Sequence, residues 1–228
     1  MYEKALKRCF DFLLSLIALL VLSPFLLIFT LIGAIVMRGN PFFTQPRPGK
    51  NERIFRLVKF RSMTNRRDKD GRLLPDEERL TAYGRFIRST SIDELPSLFN
   101  IVKGDLSIVG PRPQLVRDMV FMSEEERKRH TVSPGLTGLA QCSGRNNMSW
   151  ERKLQYDLQY IERITLFGDI RIILKTAWKV LKRDGINEEG MATAEDLGDY
   201  LLRTGRVTVE EYERKQEEAR KLLLREKL

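Results

Sequence analysis

From Phe12 to Met37 the chain runs without a charged side chain, and beyond Arg38 it becomes densely polar. As one helix this run reaches about 39 Å, enough to cross a hydrocarbon core of roughly 30 Å. It is too long for the apolar core of a secretory signal, about 7–15 residues, and Gly39-Asn40-Pro41 is a poor cleavage context. Ser23-Pro24 sits near its middle. Proline inside a helix removes a backbone donor and crowds the preceding turn. A serine hydroxyl can cap a carbonyl freed in that way. The pattern predicts a re-entrant helix-break-helix hairpin over residues 1–38, broken at Ser23 and Pro24. A kinked spanning helix is the alternative.

Past Arg38 the periodicity changes. Pro41, Pro46, Pro48 and Gly49 mark an extended stretch, and Ile54–Met63 alternates as a strand. Residues 64–79 are polar and turn-rich, a surface loop. A short helix is predicted over Tyr83–Arg88 and a short strand over Leu106–Val109. Another helix is predicted from Ser91, where Ser91 and Glu94 form a capping-box pattern. Residues 130–146 form a loop rich in small residues, and Trp150–Leu166 is helical. In Phe167–Arg183, Ile170, Ile173, Leu174, Ala177, Trp178 and Leu181 share one face, and Arg171, Lys175, Lys179 and Lys182 another. That helix fits either a core or a membrane interface, and its Trp and basic stripe favour the interface. The end of the chain reads as two helices joined at Thr204-Gly205-Arg206, the second capped by Thr208. The predicted fold is α+β and mostly helical. It comprises the membrane hairpin (1–38), a cytoplasmic domain with short strands and interfacial amphipathic helices (39–185), and a helical extension (186–228).

Charge narrows the chemistry. The net charge is +9, and the excess of Lys and Arg is concentrated in the middle domain, whereas the extension is acidic. Such a domain behind an apolar segment suits anionic partners, phosphates or a lipid surface. Lys4, Lys7 and Arg8 precede the apolar run, and Arg38, Arg47, Lys50 and Arg53 follow it. The positive-inside rule draws both flanks to the cytoplasm. Two cysteines and one histidine leave no disulfide framework, no cysteine-based zinc site and no mechanism needing two imidazoles. The chemistry falls to carboxylates, hydroxyls and cationic side chains. Taken alone, Asp93-Glu94 reads as decoration of a helix N-terminus. A membrane-tethered nucleic-acid binder is a rival reading, but the basic residues are interspersed with acids and no nucleic-acid motif appears.

Several segments follow one another in a telling order: Lys7-Arg8, Ser23-Pro24, KFRSM at Lys59–Met63, RSTSIDELP at Arg88–Pro96, and NIVKGDLSIVGPRP at Asn100–Pro113. SPGLTGLAQCSGRN at Ser133–Asn146 and the Tyr156–Thr176 region complete the set. The ordered set resembles one family closely: the small monotopic polyprenyl-phosphate phosphoglycosyl transferases, or bacterial sugar transferases. The resemblance implies the minimal form, without the extra membrane helices and domain that precede this core in large relatives. It implies an enzyme of the bacterial inner membrane, its catalytic domain facing the cytoplasm. Such an enzyme passes a sugar 1-phosphate from a UDP-sugar to undecaprenyl phosphate and releases UMP, opening glycoconjugate, exopolysaccharide or O-antigen synthesis.

The resemblance also implies Mg²⁺ and a covalent phosphosugar intermediate, with Asp93 as nucleophile and Glu94 as the magnesium-associated carboxylate. Lys59, Arg88 and Arg112 are the implied phosphate-binding cations. Arg145 and Asp157 are assigned to nucleotide-sugar binding or support of the site. The stretch Ser143–Glu162, with the EEGMATAEDL segment after it, looks like members that handle N-acetylated amino sugars. The expected partners are donor, acceptor and membrane phospholipids, without nucleic acid. The extension is expected to pack on the body or to mediate partner binding, including a homodimer, and its loss is expected to spare activity. A non-catalytic scaffold of a glycan-assembly complex is the alternative within the family.

Overall fold

A computed structural model describes residues 2–144, 148–182 and 195–226. It is mostly helical, with two small two-stranded sheets. The apolar run forms one helix, α1, Lys7–Met37, and Pro24 lies inside it. The predicted break is therefore corrected: the helix continues past Pro24 as a single element. The reason is local. Proline cannot donate to the carbonyl of Leu20, and the Ser23 hydroxyl donates to it instead at 2.8 Å.

One stripe of α1 faces the rest of the molecule. Asp11, Ser15, Leu19 and Gly33 are buried, and Leu22 and Leu26 pack against the cluster of Phe55, Leu57, Leu98, Ile101 and Leu106. Phe29 meets the rings of Phe60 and Phe86. Steps of three and four residues keep these on one side of a helix. The remainder of α1, including Ile17, Leu20, Val21, Leu27 and Ile35, is exposed.

Polar contacts fix its N-terminal end. Asp11 accepts from the Ser107 hydroxyl at 2.7 Å and from the Ile108 N–H at 3.2 Å. Lys7 donates to Asp169 at 2.6 Å, and Arg8 donates to the carbonyls of Ile101 and Val102.

Strands β1 (Phe42–Pro48) and β2 (Ile54–Phe60) form an antiparallel hairpin with Phe42 opposite Phe60 and Pro48 opposite Ile54. The prolines are tolerated because a two-stranded sheet has only edge strands. Helix α2, Ala82–Ser89, is capped by Thr81, whose side chain accepts from the Gly84 N–H. The capping-box expectation at Ser91 fails. Ser91 adopts a left-handed conformation with φ 55° and makes no side-chain cap, and Ile92–Ser97 is a 3₁₀ turn leading into α3, Leu98–Lys103. Glu94 is drawn elsewhere by cations from other segments.

Strand β3, Ser107–Val109, pairs in parallel with β4, Gly135–Thr137. After β3 come the short helix α4, Val116–Met119, then α5, Trp150–Glu162, and α6, Leu166–Lys182. In α6, Asp169 and Ile172 turn inward, while Phe167, Leu174 and Trp178 stand 84%, 65% and 60% exposed. Part of the apolar face read from the sequence is thus turned outward, with Ile170 on the same side, while Ile173 packs on the cluster of Val109, Cys142, Tyr160 and Ile172; Leu181's side chain lies outside the description. In the extension, α7 (Leu197–Arg203) and α8 (Val209–Arg225) pack on the body. Leu197 and Ala219 are buried there with Val116, Met119, Phe121, Trp150 and Leu154. Thr208 caps α8 by accepting from the Glu211 N–H at 3.1 Å, as its position suggested.

Candidate active site

The 3₁₀ turn that carries Asp93 and Glu94 is riveted to β2. Ser97 donates its hydroxyl to the Val58 carbonyl at 2.8 Å. Asn100 donates to the Arg56 carbonyl at 2.8 Å and accepts from the Val58 N–H at 3.0 Å. Its side-chain amide thus acts as a neighbouring strand would, satisfying backbone groups at the sheet edge. Ser97 and Asn100 are buried, so these bonds are shielded from water. The consequence is a fixed register between the turn and β2, which sets Lys59 beside Glu94.

Lys59 Nζ lies 2.5 Å from Glu94 Oε1, and Arg112 Nη2 lies 3.2 Å from the same oxygen. Arg112 comes from the Gly110–Pro113 loop after β3. That loop crosses the segment entering β4 so closely that a Cβ on Gly135 would fall 2.1 Å from the Gly110 nitrogen. Only glycine fits there. Backbone bonds Gly110 N–H to Thr137 and Gly135 N–H to Pro111, each 2.9 Å, lock the crossing. Arg47, Lys59, Glu94, Ser97, Arg112 and Pro113 line one pocket, with Gly135 and apolar Leu57, Leu106 and Leu136 completing its wall. Two cations therefore clamp one carboxylate, and a third, Arg47, lies in the same wall.

The two acids of the pair titrate in opposite directions. Burial, reinforced by the neighbouring Glu94 charge, pushes the Asp93 carboxyl up to about 6, against the pull of Lys59, Arg88 and Arg112. Burial would also raise Glu94, but the charges of Arg112 and Lys59 and their hydrogen bonds outweigh it and bring this carboxyl down to about 2. Arg47 is held mainly by burial, with the Arg112 charge beside it, at about 10, below the usual arginine range.

The residues singled out in the sequence fall into groups. Lys59, Glu94 and Arg112 meet in the pocket, and Asp93 adjoins them. Arg88, at the end of α2, donates to Ser62 at 2.9 Å and faces Asp93 electrostatically. Asp157 is placed beneath the pocket wall rather than in it. It is buried and ion-paired with Arg129 at 2.6 Å, and Arg129 donates to the Arg112 carbonyl at 2.5 Å. Ser23 and Pro24 lie inside α1. Arg145 lies outside the described residues.

Arg47 and Arg129 were not anticipated as site residues. Arg47 looked like one more basic flank of the apolar run, and Arg129 is one cation within a run of charges, Glu124–His130. Among the described residues no cluster of three or more His, Cys, Asp or Glu is arranged around a common point.

Comparison with known proteins settles the kinship. The family model described as "Bacterial sugar transferase" matches residues 2–183. The chain belongs to the bacterial sugar transferase family. One bacterial sugar transferase similar to it is the "Uncharacterized sugar transferase EpsL" of Bacillus subtilis (strain 168), 48% identical over 191 residues, 83% of this chain and 94% of that relative. Another is the "Undecaprenyl-phosphate galactose phosphotransferase" of Salmonella typhimurium, 38% identical over 202 residues. That alignment covers 80% of this chain but only 42% of the longer relative. The "Undecaprenyl-phosphate glucose phosphotransferase" of Komagataeibacter xylinus is 40% identical over 189 residues, covering 75% of this chain and 35% of that protein. The match to the family model ends at residue 183, before α7 and α8.

Proposed function

We propose that this protein transfers a sugar 1-phosphate from a UDP-sugar to undecaprenyl phosphate, releasing UMP, with Asp93 as the nucleophile. The observation that carries the reading is the pocket itself. A half-buried, upshifted carboxyl adjoins a second carboxylate clamped by Lys59 and Arg112, with Arg47 in the same wall. An excess of cations around two acids suits substrates whose reacting groups are phosphates.

Donor diphosphate and acceptor phosphate repel each other, and two successive displacements avoid bringing them together. In the first, an Asp93 oxygen attacks the phosphorus that bears the sugar, and the bond from that phosphorus to the oxygen bridging to UMP breaks. The electron pair leaves with UMP, and the sugar phosphate is held as an acyl phosphate on Asp93. In the second, a phosphate oxygen of undecaprenyl phosphate attacks the same phosphorus, and the Asp93 carboxylate leaves. Arg112 and Lys59 offset the charge gathering on the phosphoryl oxygens. Glu94, held low by those cations, keeps them in place.

Mg²⁺ fits this donor set. The ion prefers one or two carboxylates supplemented by water and phosphate oxygens over an all-protein cage, and Glu94 is the proposed protein ligand. When bound, it would neutralise charge on the donor diphosphate.

The proposed setting is the cytoplasmic face of the inner membrane, with both flanks of α1 on the side of the body. Support comes from body contacts in both halves of α1: Asp11 against Ser107, and the Phe29 carbonyl accepting from the Tyr83 hydroxyl at 3.0 Å. A helix that holds a polar body along its length lies on that body, and its exposed apolar side is left for lipid. The outward face of α6, where Lys182 sits over the Trp178 ring, suits the same interface.

For the donor sugar, the Ser143–Glu162 sequence favours an N-acetylated amino sugar, whereas relatives are named for galactose and glucose. A UMP-release assay with undecaprenyl phosphate and a panel of UDP-sugars tests the whole reading. Release with at least one donor, dependent on the acceptor for multiple turnovers and on added Mg²⁺, is expected. No release from any donor would leave a non-catalytic scaffold as the better reading.

A further inference from the structure

The backbone around Arg112 is pinned at nearly successive points. Arg129 Nη2 donates to the Arg112 carbonyl at 2.5 Å, Arg47 Nη1 donates to the Pro113 carbonyl at 3.0 Å, and the Leu115 N–H donates to Asp118 Oδ2 at 3.0 Å. Each pin has its own backing. Arg129 is held by Asp157 at 2.6 Å and Arg47 by Gln45 at 2.7 Å. The other oxygen of Asp118 accepts from the Leu197 N–H at 2.9 Å. The first two backings lie within the stretch that matches the family, residues 2–183. The third comes from the extension beyond it.

The extension is seated firmly at that point. Asp196 forms an ion pair with Arg117, and the Glu195 carbonyl accepts from Trp150 Nε1 at 3.1 Å. A Cβ on Gly198 would fall 2.6 Å from the Phe121 ring, so the chain passes there at backbone distance. Asp118 itself is 2% exposed, and water has little access to replace a lost donor.

We infer that residues 195–198, acting through Asp118, are a positioning element for the loop that presents Arg112. The extension is then part of the support of the site and not only a cover over the apolar cluster of α4. This rests on the reading of Arg112 as a phosphate-binding residue. It departs from the sequence-based expectation that the extension is dispensable for activity.

The test keeps the full chain and removes the Leu197 N–H. Because the Leu197 side chain is itself buried, Leu197→Ala, which keeps the N–H, is the matched control and is expected to lower Tm with exchange at 110–116 near wild type. Leu197 is the first residue of α7, and Asp196 before it is extended (ψ 156°), the setting in which proline is tolerated at a helix start. In Leu197→Pro, hydrogen–deuterium exchange of the segment 110–116 is expected to quicken roughly tenfold, with 54–60 unchanged. The KM for the UDP-sugar is expected to rise at least fivefold, measured well below the Tm. Tyr212→Phe, which removes only a bond inside the extension to Asp199, is expected to lower Tm with exchange at 110–116 and KM unchanged. Should Leu197→Pro not fold, Asp118→Asn, which cannot accept both N–H groups through carboxylate oxygens, is expected to give the same exchange and KM changes. Wild-type exchange at 110–116 in the folded variant overturns the inference. Exchange is read without turnover, so a protein that releases no UMP would sink the proposed reaction while the positioning role is still decided.

Discussion

Two neighbouring carboxyl groups are shifted in opposite directions at this site, in keeping with the different work proposed for each. Asp93, at about 6, is ionised at neutral pH yet close to its proton, whereas Glu94, at about 2, stays charged throughout. A nucleophilic Asp93 must be deprotonated. As pH falls through about 6 the group takes up its proton, and kcat/KM should fall with unit slope below that point and level off above it. A profile flat down to pH 5 would exclude Asp93 as the titrating nucleophile. Glu94→Gln removes the charge that gathers Lys59 and Arg112, and transfer should drop by about 10²–10³-fold in a protein with wild-type circular dichroism. Beneath them, Asp157→Ala would strand the buried Arg129 charge, a loss of about 3–5 kcal/mol that denaturant unfolding would detect. Asp93, Glu94, Lys59 and Arg112 were legible because they sit in ordered motifs. Arg47 and Arg129 were not, because their partners are 66 and 28 positions away and nothing local marks them.

Local rules predicted most elements, and they failed where another segment supplied a better partner. Ser91 and Glu94 have the spacing of a capping box, yet the carboxylate bonds to Lys59 and Arg112, cations on other segments. The turn then bends through a left-handed serine, φ 55°. Such a conformation costs an L-residue roughly 1 kcal/mol that glycine avoids. Ser91→Gly is therefore expected to hold or raise Tm, and a fall of several degrees would show that the side chain contributes more than the strain removes. At Pro24 the rule for proline was right about the lost donor but wrong about the outcome, since Ser23 supplies a substitute one residue away. β2, β3, α5 and α6 were readable because alternation and 3.6-residue periodicity coincide there with burial, whereas β4 lies in the stretch read as a loop and is made a strand by its pairing with β3, and the short α4 was not predicted.

Two apolar surfaces of the molecule stand exposed, the outer side of α1 and Phe167, Leu174 and Trp178 of α6, and the proposed membrane setting would cover them with lipid. Single cysteines at Glu3 and at Asn40, in a chain whose Cys9 and Cys142 are replaced, should be labelled only from the cytoplasmic side. Labelling of the two from opposite sides would establish a span and overturn the placement of both flanks on one side. The sequence revealed the apolar run and its basic flanks. It could not reveal that α1 lies along the body, because that depends on single polar residues, Asp11 and Lys7, finding partners in β3 and α6. Nor did it show that the extension grips α4, because Asp118 carries no motif of its own.

Intact-protein mass spectrometry after incubation with the UDP-sugar and Mg²⁺, without acceptor, is the most direct test of the proposed chemistry. The wild-type chain should gain the mass of one sugar phosphate, lose it when undecaprenyl phosphate is added, and gain nothing when Asp93 is replaced by Asn. An unmodified wild-type chain that nonetheless releases UMP once acceptor is present, or an Asp93→Asn chain that still transfers, would contradict it and point to direct attack by the lipid phosphate.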